Sequence, residues 1–366
     1  MPERAGVRMQ ILEDGTLVIV DPDPGALELI RLLDPDFTTR HAPLRGFAQP
    51  RLLETAVVGT GISVADLLFL PTDLLWQVHE VVPQERCPAT RGEASLLDLK
   101  IELARRMLER CELCGLRCRV DRTRGEPGRC GLGSQAYIYE SYIHIAEEPP
   151  INPALNISLR GCGMRCRHCQ QAPALSPRGS PREELTPASW ERLDLSGARS
   201  LTFVGGNPTE SLYAILVFLR AAPPYFLLPI GWNCSGYDAV EAIQLLNGVC
   251  DVYVPDLKYG KEGCARRLSG APGYVENARA VITEMCRQDI PVFVRILVLP
   301  GHVECCHVPS LEALIPMRSQ VRVNILGQYT PDFLIRDTDG SLARRPLSAE
   351  VARVRDAALE MGFETV

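Results

Sequence analysis

From residue 156 onward the chain repeats one pattern. Short apolar runs recur at 157–159, 201–204, 228–233, 251–254, 292–299 and 321–326. Nearly continuous apolar runs of this kind read as strands buried on both faces. Between and after them lie stretches with apolar residues at helical spacing, including 210–220, 237–246, 274–287 and 348–361. Alternating strands and helices predict a parallel sheet with right-handed crossovers. Six units are fewer than the eight a complete barrel requires.

The earlier part of the chain is patterned differently. A strand is expected at 16–20, after the Asp14-Gly15 turn, and helical spacing appears at 26–33 and 64–82. Residues 88–92 read as a linker, 96–109 as an amphipathic helix rich in Leu, Glu, Arg and Ala, and 137–145 as an alternating strand. The expected division is an N-terminal accessory α+β domain over 1–90, a helix and Cys-rich metal-binding segment over 91–150, and an α/β domain over 151–366.

Composition narrows the function classes. A chain of 366 residues can hold a large core and an accessory domain. The net charge of −6 gives no reason to expect nucleic acid or an anionic membrane as a partner. The longest apolar stretch, 215–232, is interrupted by Arg220 and the Pro223-Pro224 pair, so no membrane span is expected. The first residues lack the charged and apolar regions of a signal peptide, and a cytoplasmic location is expected. In that compartment fourteen cysteines point to metal ligation rather than disulfides.

Three of those cysteines lie in the run Gly161-Cys162-Gly163-Met164-Arg165-Cys166-Arg167-His168-Cys169, directly after the first strand. Three close thiolates suit a cubane iron–sulfur cluster and leave its fourth iron open, the mark of a catalytic site. Zinc is the competing occupant, but structural zinc prefers four ligands in two short pairs.

This C-x3-C-x2-C motif resembles that of the radical S-adenosylmethionine (SAM) superfamily. The resemblance implies a [4Fe–4S] cluster on Cys162, Cys166 and Cys169 whose open iron binds the amino and carboxylate groups of SAM. An electron from the cluster then splits SAM into methionine and a 5′-deoxyadenosyl radical, which takes hydrogen from a substrate. His168 stands where many members carry an aromatic residue. Gly205-Gly206-Asn207-Pro208 follows the second strand where members often carry Gly-Gly-Glu-Pro, so Asn207 is a departure. Glycine there permits close backbone approach to the SAM amino group.

Three strand-end strings narrow the resemblance: Trp232-Asn233-Cys234-Ser235-Gly236-Tyr237, Tyr253-Val254-Pro255-Asp256-Leu257-Lys258-Tyr259-Gly260 and Arg295-Ile296-Leu297-Val298-Leu299-Pro300-Gly301. With Ala146-Glu147-Glu148-Pro149-Pro150 and Val323-Asn324-Ile325-Leu326-Gly327-Gln328-Tyr329, they are similar to the pyruvate formate-lyase-activating branch, in particular its activating-enzyme-like proteins of unassigned substrate. The similarity covers about 108–333 and implies a partial (β/α)6 barrel with its site at the C-terminal strand ends. It places Gly205, Gly206, Asn207, Asn233 and Asp256 against SAM. Lys258 is expected to pair with a carboxylate. Arg295, in an apolar strand, needs an anionic partner, either SAM or a neighbour; a purely structural salt bridge is an equal alternative for both cations. Asn324 and Gln328 are candidates for substrate contact or for capping the strand end.

A second cysteine group, Cys111, Cys114, Cys118 and Cys130, has the spacing C-x2-C-x3-C-x11-C. Four thiolates can close a site around a second [4Fe–4S] cluster or a zinc ion. Three close ligands and a remote one favour the cluster, which would relay electrons to the first. Cys250 and Cys286 read as core residues. Cys305-Cys306, beside His302 and His307, is a candidate metal or reactive site, but reads as structural because adjacent cysteines chelate poorly, and Cys234 is the candidate thiol near substrate.

The expected function is a radical SAM oxidoreductase served by a reducing partner such as flavodoxin or ferredoxin. Its substrate is either a protein, activated at a backbone glycine, or a small molecule or peptide. A non-enzymatic electron carrier or zinc-bearing interaction module would explain the cysteines, but neither the six-unit pattern nor the Gly205-Gly206 turn.

Overall fold

A computed structural model of the chain describes residues 9–11, 17–19, 51–85, 88–175, 183–223, 226–336 and 340–366. The helix expected at 26–33 lies outside the described residues. Strands β1 (Met9–Ile11) and β2 (Leu17–Ile19) form an antiparallel pair, as do β3 (Gly59–Ser63) and β4 (Glu93–Ser95). One nine-stranded sheet contains β5 (Tyr137–His144), β6 (Ala154–Leu159), β7 (Glu183–Glu184), β8 (Ser200–Gly205), β9 (Ile230–Cys234), β10 (Val252–Pro255), β11 (Val292–Leu297), β12 (Val321–Leu326) and β13 (Glu364–Thr365).

The order across this sheet is β13-β12-β11-β10-β9-β8-β6-β5-β7, open at both ends. From β6 to β13 every neighbouring pair is parallel, while β5 runs antiparallel to β6 and β7 antiparallel to β5. All six expected strands are present. β6 is buried at every position, as its unbroken apolar run requires.

Helix Tyr274–Arg287 has the expected bounds, and Ser348–Glu360 ends one residue early. The helix expected from 210 begins at Leu212, because Pro208 opens a tighter 3₁₀ turn over Pro208–Ser211. Helix Glu262–Ser269 was not expected: its sequence, EGCARRLS, is mostly polar.

Leu96–Glu109 is a helix as expected, opened by a capping box in which Ser95 and Asp98 bond each other's backbone N–H groups. Its buried Leu96, Leu97, Leu99, Leu103 and Leu108 pack it against helices Thr72–Glu85 and Leu212–Arg220. Over 64–82, Pro71 separates a 3₁₀ turn from the helix Thr72–Glu85. The expected linker, 88–92, is bonded alongside the antiparallel β3–β4 pair: Ala89 N–H donates to Val57 O at 2.8 Å and Val64 N–H to Gly92 O at 3.1 Å. Helix Arg51–Val57 is tied to the segment before β10, with Arg51 N–H donating to Asp251 Oδ1 at 3.1 Å and Thr55 Oγ1 to Gly248 O at 2.5 Å. No described helix is long and apolar enough to cross a membrane.

Candidate functional site

Gly161, at φ +87°, turns the chain out of β6 into the cysteine loop. The loop rests on the end of helix Glu262–Ser269: Arg165 N–H donates to Ser269 O and Arg167 N–H to Leu268 O, both at 2.8 Å. Ser269 Oγ donates to Cys166 Sγ at 2.9 Å. Cys162 and Cys166 are buried and Cys169 is half-buried. All three line a cavity of about 280 Å³. Gly205, Gly206, Asn207, Asn233, Asp256, Lys258 and Arg295, delivered by β8 to β11, line the same cavity, with Cys234 and Gln328. The site therefore stands at the C-terminal strand ends, where parallel α/β sheets place their ligands.

The two glycines have a structural task as well. Gly205 sits at φ +108°, and a Cβ there would lie 2.3 Å from Leu159 N. A Cβ on Gly206 would lie 2.0 Å from Gly161 O. Gly206 N–H donates to Leu159 O at 2.8 Å and Asn207 N–H to Gly161 O at 3.1 Å, so the turn clasps the root of the cysteine loop.

Asn207 is committed to its own neighbours. Its Nδ2 donates to Glu210 Oε2 and, at 2.9 Å, to Asp238 Oδ1, while its Oδ1 accepts from Ser235 N–H at 2.9 Å. A glutamate here would set a third carboxylate against two buried ones. Glu210 also accepts from Gly163 N–H at 2.9 Å. Burial, reinforced by Asp238, pushes its carboxyl pKa up to about 7.

The two expected cations both have protein partners. Lys258 Nζ donates to Asp256 Oδ2 at 2.6 Å. Burial works against its charge, but Asp256 and the nearby Cys166 outweigh that and raise its pKa. Arg295 is fixed by Glu148, with Nε to Oε1 at 2.7 Å and Nη2 to Oε2 at 2.5 Å, and its Nη2 also meets Glu147. Neighbouring carboxylates thus supply the anion it required, while its side chain also lines the cavity.

Asn324 corrects an expectation. It does not line the cavity; it is buried and donates to Glu148 Oε1 at 2.9 Å, orienting the partner of Arg295. Gln328 does line the cavity and donates to Glu147. His168 is buried, its pKa lowered to about 3 by burial first and then by Lys258, and its ring meets Tyr259 edge-on at 6.0 Å. Burial holds the Cys234 thiol protonated, with Asp238 adding to the shift. Sequence reasoning assigned no role to Glu148, Glu210, Asp238 or Ser269. The signals on offer were the position of Glu210, four residues beyond Gly206, and the place of Glu148 in the Ala146–Pro150 string.

Residues 156–314 match the family model of the radical SAM superfamily. That match spans 159 of the chain's 366 residues and includes the Cys162–Cys169 loop. The uncharacterized protein MJ0674 of Methanocaldococcus jannaschii is 27% identical over 327 residues, which is 85% of this chain and 94% of that protein. Two solved structures of SuiB from Streptococcus suis are also similar. The one bound to S-adenosylmethionine is 12% identical at a TM-score of 0.40, covering 56% of this chain and 47% of SuiB. The other is 11% identical at 0.39, covering 56% and 46%. The chain thus spans about half the length of SuiB.

The second cysteine group lies close to the Cys162–Cys169 loop but does not line the cavity. A Cβ on Gly128 would lie 3.1 Å from Cys130 Sγ and 3.5 Å from Cys118 Sγ. One on Gly163 would lie 3.7 Å from Cys114 Sγ and 3.5 Å from Glu210 Oε1, so both side chains approach the residue next to Cys162. Arg122 is buried beside the group, donating to Cys111 Sγ at 3.6 Å and to Glu210 O at 2.7 Å. Burial disfavours its charge, but Cys130 and Cys111 raise its pKa overall. A buried guanidinium among thiols fits an anionic metal–thiolate centre.

Proposed function

We propose that this chain is a radical SAM enzyme that holds a [4Fe–4S] cluster on Cys162, Cys166 and Cys169 and binds SAM in the adjoining cavity. One observation carries the reading: three thiols share a cavity wall with the glycine turn, Asn233, Asp256 and Lys258. The donor set fits a cluster, being three sulfurs with space on their open side. When bound, such a cluster supplies the electron that cleaves SAM reductively.

The chain's own residues bind and orient. Burial raises the Cys166 pKa overall, and Lys258 and the Ser269 hydroxyl oppose that shift. The glycine turn would hold the amino group of SAM, and Asn233 and Asp256 would hold its polar edges. Six of the seven parallel strands, β6 and β8 to β12, act as a partial (β/α)6 barrel of the activating-enzyme-like branch.

Cys111, Cys114, Cys118 and Cys130 would hold a second [4Fe–4S] cluster, which would supply an electron relay from a flavodoxin- or ferredoxin-type partner. Around a single zinc ion sulfur atoms lie about 3.8 Å apart. Among the described residues one set of three or more ligating atoms falls within 4.8 Å, and it is not this group. The wider spacing favours a cluster.

The substrate is a polypeptide. Exposed Ile145 follows cavity-lining His144, and exposed Phe333 and Leu334 follow Thr330, which bonds the cavity residue Gln170. Exposed apolar residues flanking the cavity segments in sequence suit contact with a protein surface.

The test is anaerobic reconstitution with iron and sulfide, then reduction with SAM and assay of 5′-deoxyadenosine. The product should form, and should vanish in Cys162→Ala, Cys166→Ala and Cys169→Ala. Undiminished product in those variants would sink the proposal, and a reducible cluster that never cleaves SAM would mark an electron carrier.

A further inference from the structure

The adjacent pair Cys305-Cys306 was expected to be structural. The fold instead brings Cys264, forty-one residues before Cys305, up to it. Cys264, His302, Cys305 and Cys306 present ligating atoms that all lie within 4.8 Å of one another. The individual separations are 3.9 Å for Cys264 Sγ to Cys305 Sγ and 3.8 Å for Cys305 Sγ to Cys306 Sγ. His302 Nδ1 lies 3.3 Å from Cys305 Sγ and 3.8 Å from Cys306 Sγ.

These lengths can be set against a tetrahedral zinc centre. Zinc–sulfur bonds of about 2.3 Å and a zinc–nitrogen bond of about 2.05 Å give edges of about 3.8 Å between sulfurs and about 3.6 Å from sulfur to nitrogen. The two sulfur–sulfur separations match the first edge, and the two sulfur–nitrogen separations straddle the second.

The backbone explains how neighbouring cysteines converge. Val303–His307 forms a π-helical turn, wider than an α-turn and common at functional sites. His307 takes no part, because its Nε2 accepts from Leu299 N–H at 2.9 Å. Cys264, Cys306 and His302 are buried, which restricts exchange with water.

We infer that Cys264, His302, Cys305 and Cys306 form a Cys₃His site for one divalent zinc ion, separate from both cysteine groups described above. Binding displaces three thiol protons to solvent and leaves the centre with one net negative charge. Arg267, whose Nη2 lies 3.5 Å from Cys264 Sγ, compensates it.

The ion would act as a staple. Cys264 lies on helix Glu262–Ser269, the helix that carries the cysteine loop and holds Ser269 against Cys166, while the other three ligands follow β11. Zinc would fasten that helix to the β11 strand end.

The test measures zinc and iron per chain by mass spectrometry in full-length protein purified anaerobically without chelators. One zinc per chain is expected in the wild type. Cys264→Ser and Cys305→Ser should lose it, with iron unchanged. Zinc absent from the wild type, or retained in Cys264→Ser, would overturn the site, and loss of iron instead would overturn the choice of metal. If the variants do not fold, cobalt(II) exchanged into the wild type decides. Intense tetrahedral bands with sulfur-to-metal charge transfer support the site, and a pale octahedral spectrum refutes it.

Discussion

Arg295 offers the sharpest test of the charge network under the cavity. Glu148 has no exposed surface, and the Arg295 side chain is 14% exposed. Arg295→Leu removes two charge-assisted hydrogen bonds, of 2.7 and 2.5 Å, and leaves Glu148 with Asn324 as its remaining side-chain donor. Two unit charges about 4 Å apart attract by roughly 4 kcal/mol at an effective dielectric constant near 20. Breaking one side of a buried pair typically costs about 3–5 kcal/mol, because the surviving charge stays buried. That range is the expected loss. It is read from urea unfolding of the reduced, metal-free chain, compared at constant slope. The double variant Arg295→Leu/Glu148→Leu removes the stranded charge and should recover most of the loss, to within about 2 kcal/mol of wild type. A single-variant cost below about 1 kcal/mol, or a double variant no better than the single, would refute the assignment.

Two further outcomes follow from neighbouring groups. Lys100 is fully buried against His79 Nε2 at 2.7 Å, and burial, with Arg51 adding to it, lowers its pKa from 10.5 to about 7. A base whose folded pKa is depressed costs stability fully below that value, and the cost fades as pH rises to the unfolded pKa. Lys100→Met should therefore gain on wild type by an amount of order 4–5 kcal/mol larger at pH 6 than at pH 10.5; a pH-independent difference in paired urea melts would reject this. Ser269→Ala removes the 2.9 Å hydroxyl donor to Cys166 Sγ, so the first cluster should become harder to reduce. An anaerobic redox titration monitored by electron paramagnetic resonance should show a lower midpoint potential, and an unchanged or higher one would contradict the contact.

What could be read in advance was whatever is local in sequence. The strands from β6 to β12 are buried on both faces, so their apolar runs stood out. The cysteine loop and the Gly205-Gly206 turn are contiguous motifs. What could not be read depends on pairs far apart in the chain. Glu148 reaches Asn324 across 176 residues, and neither residue's neighbours announce the contact. Cys264 reaches Cys305 across 41, from a helix too polar to register as one. As an isolated dipeptide, Cys305-Cys306 is a poor chelator; the π-turn and a third thiol from elsewhere bring both sulfurs into one four-ligand set.

Asn207 shows how these hidden partners explain a visible departure. In isolation, asparagine in place of the family's usual glutamate looks like a lost acidic contact. In the fold it is the donor shared by Glu210 and Asp238, both buried and both pushed toward the protonated form by burial. A carboxylate at 207 would have no donor to offer either one and would add a third like charge in a dry pocket. The amide serves all three neighbours, since its oxygen also accepts from Ser235 N–H. Those neighbours matter because Glu210 bonds Gly163, next to Cys162, and Ser235 follows the strand end that carries Asn233 and Cys234 into the cavity. Position 207 is thus a joint between the cysteine loop and the third parallel strand, and its residue type is set by the two carboxylates it must separate.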